Sequence, residues 1–250
     1  MKYISISLPL TIGQKIFFGL VLVLAIIILI INATMQPKAT PTSNFYEDED
    51  WDIITNYAEQ QYGDICGEMS ITDEFKLVLI SPTEELPFYK IVTLGAGAYN
   101  MEVPFEYEDA INNRAEYVIY LPQDWNIDSR QIEDVWPLET LAIIALYPSE
   151  LKDVLTVGHT IQLNEDESLI EGSKSFNSCL LLESKDKEGK NIMPVPLKTP
   201  GREVAFIQLY PLYPEELNFL LQGNPYTKLL DKIGDQLDYV VNEDRPNYCK

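Results

Sequence analysis

Apolar and polar positions fall into three closely spaced runs near the middle of the chain: Phe75–Ser81, Phe88–Leu94 and Ala115–Leu121. Val, Ile, Tyr and Phe dominate each run, and Pro, Gly, Asn or Asp separate them, which predicts three β-strands. Alternation puts Phe75, Leu77 and Leu79 on one face of the first strand and Lys76, Val78 and Ile80 on the other. A strand apolar on both faces for most of its length belongs inside a sheet covered on both sides. Pro82 and Pro87 confine the SPTEELP stretch to a turn. Gly95-Ala96-Gly97-Ala98 closes the second strand without a bulky Cβ. Neither the dinucleotide spacing nor a following Lys-Ser/Thr accompanies these glycines, so they predict a bend where another backbone passes close, not a phosphate cradle.

Helical spacing appears on either side of this centre. Trp51, Ile54, Ala58 and Tyr62 recur at i, i+3, i+7 and i+11, predicting a helix from about Phe45 to Tyr62 with Ser43 or Asn44 as its cap. The acidic run Glu47–Asp50 suits the positive end of that helix and reads as solvated, and Gly63 suits its stop. A second helix is expected over Pro137–Leu146, with Pro137 in its first turn and Pro148 ending it. Its LETLAIIAL core is apolar nearly all round and predicts deep burial. Val157–Leu163, Ser178–Glu183 and Glu203–Leu209 read as further strands, the last ending at Pro211. The acidic segment Asn164–Ser173 and the charged Ser184–Asn191 read as loops. Pro214 opens a helix with Glu215 and Glu216 in its first turn, and another runs from Tyr226 to Leu237. The tail Val240–Lys250 is expected to be loosely held.

The N-terminal region is of a different kind. Ile16–Ile31 carries neither charge nor polar side chain. At ~1.5 Å per residue a helix of that length, extended over Asn32–Met35, approaches a ~30 Å hydrocarbon core. Lys2 and Lys15 precede it and an acidic stretch follows, placing the N-terminus in the cytoplasm. Two alternatives stand beside this single-pass anchor: a cleaved signal segment, and translation starting at Met35. The length of the apolar run favours the uncleaved anchor, because signal cores are shorter. The expected organisation is therefore a membrane segment over 1–35, a linker over 36–44 and one domain over 45–250.

Composition narrows the function more than the fold. The chain has 250 residues with 39 acidic and 18 basic side chains, a formal net charge of −21. That excess argues against nucleic acid as a partner, because phosphate binding needs clusters of Lys and Arg. It suits capture of a basic protein by long-range attraction. Cys66, Cys179 and Cys249 are far apart, and with His159 as the one histidine they make no recognisable zinc site. No cofactor motif is present.

His159 would have to carry any acid–base chemistry, yet no G-x-S-x-G nucleophile elbow accompanies it. A hydrolase built on His159 is the weakest of the readings, and no catalytic residues are assigned. The PFEYEDA segment offers a candidate partner-binding surface instead: acidic Glu106, Glu108 and Asp109 interleaved with Phe105 and Tyr107, joined by Trp125. Aromatic groups among acids can engage a basic, partly apolar partner.

Ile91–Pro104, IVTLGAGAYNMEVP, followed by RAEYVIYLPQDW at Arg114–Trp125, resembles the suppressor of fused (SUFU)-like domain. WPLETLAIIALYP at Trp136–Pro148, VGHTI at Val157–Ile161 and VAFIQLYPLYPEELNFLLQG at Val204–Gly223 keep the order. The resemblance implies a mixed α/β (α+β) domain, a β-sheet flanked by helices, that binds other proteins without catalysis. The animal member restrains a transcription factor, and bacterial members are associated with toxin immunity. The resemblance therefore implies an immunity protein that occludes a toxin, and the acidic excess suits a basic one. The alternative is a membrane-tethered adaptor that binds an extended peptide. The family supplies no catalytic residues, and the oligomeric state is left open.

Overall fold

The computed structural model describes residues 45–164, 166–186 and 188–250. The predicted anchor, the linker and the cap at Ser43 or Asn44 lie outside these residues. Among the described residues no helix is long and apolar enough to cross a membrane.

The three central runs form strands β2 (Phe75–Ile80), β3 (Phe88–Leu94) and β4 (Ala115–Pro122), following β1 (Ile65–Thr72). These four make an antiparallel meander, with Val78 opposite Val92 and Ile91 opposite Ile119. After β4 come β5 (Thr160–Gln162), β6 (Ser178–Glu183), β7 (Val195–Pro196) and β8 (Glu203–Leu212). The sheet order is β1-β2-β3-β4-β8-β6-β5, with β7 paired to β8. Only the β4–β8 join in that path is parallel, Ala115 standing opposite Ala205. A parallel neighbour requires a crossover, and the long excursion between β4 and β8 supplies it.

Helices cover both faces, as the two-sided apolar strands require. On one face α2 (Ile132–Leu151) packs Trp136, Leu141, Ile144 and Ala145 against Leu77, Ile91, Ile119 and Leu209. On the other, α1 (Asp48–Tyr62) lays Ile54, Ala58 and Tyr62 over Val78, Ile80, Val92 and Val118. Further along that face, Leu220 of α3 (Pro214–Leu221) and Leu229 and Ile233 of α4 (Tyr226–Ile233) cover Leu180, Leu182, Tyr210 and Leu212. Leu77 and Val78 thus bury in opposite directions, as their alternation demands.

Several sequence expectations need correction. The sequence pattern does not predict strand β1: Cys66, Glu68, Met69 and Ser70 are exposed on it, so it lacks the apolar signature of an inner strand. Helix α1 starts at Asp48, and Asp50 is buried, not solvated; its carboxylate accepts the backbone N–H of Lys198. Helix α2 is twice the expected length and holds both Pro137 and Pro148. Both prolines are buried, so packing outweighs the two lost backbone bonds, and the helix ends where Lys152 turns left-handed at φ 53°. Strand β5 is shorter than Val157–Leu163, and β8 runs on through Pro211. Pairing of β8 with β4 stops at Gln208, so the missing N–H of Pro211 meets no neighbouring strand on that side.

The tail is docked, not loose. Val241 is buried and donates its N–H to Tyr120 O. Glu216, fully buried at the start of α3, accepts the Tyr213 backbone N–H at 3.1 Å. Arg245 supplies its counter-charge at 2.5 Å, with the guanidinium over the rings of Phe176, Tyr210, Tyr213 and Tyr248. A buried carboxylate needs such a partner, and this one comes from far along the chain, beyond the reach of local pattern.

Candidate functional site

The site lies on the long connection from β3 to β4. At its start Gly95 has φ 112°, and a Cβ there would stand 2.1 Å from Glu74 O. The expected bend with a close backbone is therefore what these glycines provide. Gly97 is equally confined: its Cβ would fall 2.4 Å from Tyr46 Oη. The short 3-10 turn Ala96–Ala98 that results, with Gly95 before it, points two backbone N–H groups inward at one carboxylate.

That carboxylate belongs to Glu116, fully buried on β4. Its Oε1 accepts Tyr46 Oη–H at 2.8 Å, Gly95 N–H at 2.9 Å and Gly97 N–H at 3.1 Å. Its Oε2 accepts Thr93 Oγ1–H at 2.6 Å. Removal from water disfavours the charged form more than these four donors favour it, and the carboxyl is pushed up to about 7. Arg114 adds a second tie, donating from Nη1 to Gly97 O and Ala98 O. The segment before α1, the end of β3 and the base of the loop are all held at this point.

Beyond the anchored base the chain bulges into solvent. Met101 N–H donates to Asn113 O, closing the neck of the loop. A 3-10 turn at Phe105–Tyr107 is held by Tyr107 N–H to Pro104 O and Ala110 N–H to Tyr107 O. Phe105 is 86% exposed and Tyr107 51%, while Glu106, Glu108 and Asp109 are exposed around them. Burying neither ring, the fold presents both to water, which is unfavourable unless something covers them.

Beside this turn is a cleft of about 590 Å³, reaching from the loop to the start of β8. Asn100, Glu102, Glu108, Asn112, Asn113 and Glu203 contribute its polar wall, and among the described residues no Lys or Arg lines it. The arrangement offers acceptors and negative charge to a cationic group, with aromatic surface alongside. Of the cleft residues only Glu108 stands out in the sequence; Glu102 and Glu203 are drawn together by the parallel β4–β8 pairing, which no local pattern announces.

Trp125 is placed elsewhere. It follows the far end of β4, a strand that spans about 23 Å at ~3.3 Å per residue. Its Nε1–H donates to Asp134 O at 2.7 Å and its ring stands edge-on to Trp136. The structure therefore brings Phe105, Glu106, Tyr107, Glu108 and Asp109 together and leaves Trp125 supporting the core under α2.

His159 precedes β5, and burial lowers its imidazole pKa, partly offset by the nearby Val154 backbone and by Asp153. Among the described residues no cluster of His, Cys, Asp and Glu could hold a metal ion. Cys179 is buried, which pushes its thiol up, out of the range of a reactive thiolate.

A sequence-family model described as suppressor of fused protein (SUFU) matches residues 72–244. A search of curated protein sequences finds no significant match. Solved structures do match in fold. The Sufu–Fu complex structure gives a TM-score of 0.56 at 16% identity, covering 81% of this chain and 93% of that one. A putative SUFU homolog from Neisseria gonorrhoeae FA 1090 gives 0.52 at 16% identity, covering 81% of this chain and 98% of that one. Drosophila Suppressor of Fused gives 0.52 at 14% identity, covering 80% of this chain and 51% of that one.

Proposed function

The chain belongs to the suppressor of fused (SUFU) protein family, and from that premise we propose that it is a non-catalytic binding protein that neutralises a basic protein toxin by occlusion. One observation carries the reading: two exposed aromatic rings, Phe105 and Tyr107, sit among Glu106, Glu108 and Asp109 on a loop that lends Glu108 to a carboxylate-lined cleft. A few anchoring residues, aromatic ones prominent among them, supply most of the energy of a protein interface, and the surrounding acids supply direction and speed of approach. All 39 acidic residues follow Phe45, while Lys2, Lys15 and Lys38 are the only charges before it, so the domain's own field attracts cations. One SUFU structure, the Sufu–Fu complex, contains a protein partner. The toxin as the partner rests on the family's bacterial association.

We place the chain at the membrane, tethered through residues 16–35 with its N-terminus in the cytoplasm. Full-length protein then fractionates with membranes and resists alkaline extraction. A mature chain starting near Thr34 or Met35 overturns the tether without touching the binding reading.

The binding reading is tested on the association rate of the captured partner. It should fall steeply between low and physiological salt, while dissociation changes less. Glu106→Gln, Glu108→Gln and Asp109→Asn together should slow association and leave melting nearly unchanged, since exposed charges contribute little to stability. A salt-independent rate, or a triple variant that associates at the parental rate, rules out capture through this loop.

A further inference from the structure

Arg245 stands in a cage that the rest of the fold builds without it. Phe176 is fully buried, its ring centre 6.1 Å from that of Trp136 and 5.0 Å from that of Tyr213. Tyr210 is buried on β8. Glu216 is fixed by the Tyr213 backbone N–H, which donates to its Oε2. Three rings and one buried carboxylate are therefore set in place ahead of whatever enters between them.

The guanidinium lies in this cage as a flat fork. Nη1 donates to Glu216 Oε1 at 2.7 Å, and Nη2 to Glu216 Oε2 at 2.5 Å and to Pro211 O at 2.9 Å. Its carbon centre is 5.3 Å from the Phe176 ring, 4.9 Å from Tyr210 and 4.7 Å from Tyr213. A lysine ammonium is a point charge and could not span both carboxylate oxygens while lying flat against the rings.

The segment that carries the arginine is the weaker part. Residues 242–250 form no helix or strand, and none of them is buried as a whole. Around Arg245 the segment is held by separate hydrogen bonds, among them Asn247 Nδ2–H to Glu215 Oε2 at 2.7 Å. Segments with little buried apolar surface open first. When this one opens, Glu216 is left among the rings without its counter-charge, a costly state that another guanidinium would relieve.

We propose that the cage is a receptor for an arginine side chain, closed in the free protein by the chain's own Arg245 and given over, by exchange, to an arginine of a basic partner. The guanidinium is what is recognised, and no strand is added to the sheet. The net charge of −21 draws arginine-bearing surfaces near. The cage gathers at the end of β8, whereas the cleft beside the 105–109 loop borders its start, so the proposal does not depend on that loop.

The test uses the detergent-solubilised full chain and two blocked peptides of equal charge, one of four Gly-Arg repeats and one of four Gly-Lys repeats. Arg245→Ala opens the cage. Its preference for the arginine peptide over the lysine peptide should exceed the parent's about tenfold. Adding Glu216→Gln should return that preference to the parental value, because the fork then loses its carboxylate. In the parent, which needs no substitution to fold, the Tyr248 N–H reports the exchange, since it donates to Glu216 Oε1 at 3.3 Å. Excess arginine peptide should speed exchange of that amide about threefold or more, and the lysine peptide should not. A parental preference in Arg245→Ala overturns the proposal, as does a raised one that survives Glu216→Gln. So does a Tyr248 amide that the arginine peptide leaves unchanged. Equal acceleration by both peptides also overturns it, since charge alone would then open the tail.

Discussion

Replacing Glu116 by Gln removes one titrating group and keeps the shape. In the parent, burial holds the Glu116 carboxyl at about 7 against an ordinary value of 4.5. Between those two values the folded state binds the proton and the unfolded state does not. Stability therefore falls as pH rises through this window and is flat, for this group, on either side. At ~1.4 kcal/mol per unit of pKa, the loss is on the order of 3 kcal/mol, a large share of the ~5–15 kcal/mol that holds a domain together. In Glu116→Gln the amide oxygen can still accept from Gly95, Gly97 and Tyr46, while the amide nitrogen must face Thr93 Oγ1, whose proton then loses its acceptor. The protonated parent carries the same mismatch, its Oε2–H facing Thr93 Oγ1, so at the acid end the two proteins present nearly the same hydrogen-bond pattern. Urea unfolding of both proteins from about pH 4.5 to about pH 8 measures the difference. The two should be close at the acid end, and the parent should fall below the variant toward the alkaline end, the gap between the curves changing by roughly 3 kcal/mol. Parallel curves would refute the claim that desolvation outweighs the four donors at this site.

Three further outcomes follow from the packing. Arg245→Ala leaves the Glu216 carboxylate buried and unpaired, and should cost roughly 3–5 kcal/mol while amide exchange over 240–250 accelerates; a tail that stays protected would show that the ring cage alone holds it. Ile144→Asp places a charge at a fully buried position under α2, where the cost of several kcal/mol should unfold the domain or lower its melting point by far more than a few degrees. His159→Ala should leave partner neutralisation intact wherever the protein still folds, because occlusion uses no base; loss of protection with binding retained would indicate catalysis.

What can be read from residues alone follows burial. Strands β2, β3 and β4 declare themselves because Leu77, Val78, Ile91 and Val92 are apolar in both directions, and two-sided cover is the only arrangement that satisfies them. Strand β1 does not, since an edge strand with Glu68 and Ser70 outward has no such constraint. Pro137 and Pro148 mislead about the bounds of α2, because their local penalty is overridden by tertiary packing of their own rings. The exposure of Phe105 and Tyr107 has no signature in sequence, since an aromatic residue in a loop is as easily tucked beneath it. Glu116 does leave a trace: one acid inside AEYVIYL, downstream of a Gly-Ala-Gly turn whose amides need an acceptor. Glu216 and Arg245, by contrast, are linked only through the folded chain.

The central claim is that the Phe105–Asp109 loop is the surface that engages a partner. Parallel affinity capture from the native cell, with the parent and a Phe105→Ala/Tyr107→Ala variant of equal melting point as baits, tests it directly. The two rings are exposed, so the variant should fold as the parent does. A basic protein recovered with the parent and depleted about tenfold or more on the variant is the predicted result, tenfold being ~1.4 kcal/mol and well within what two interface aromatics contribute. The same proteins recovered in the same amounts on both baits would contradict it.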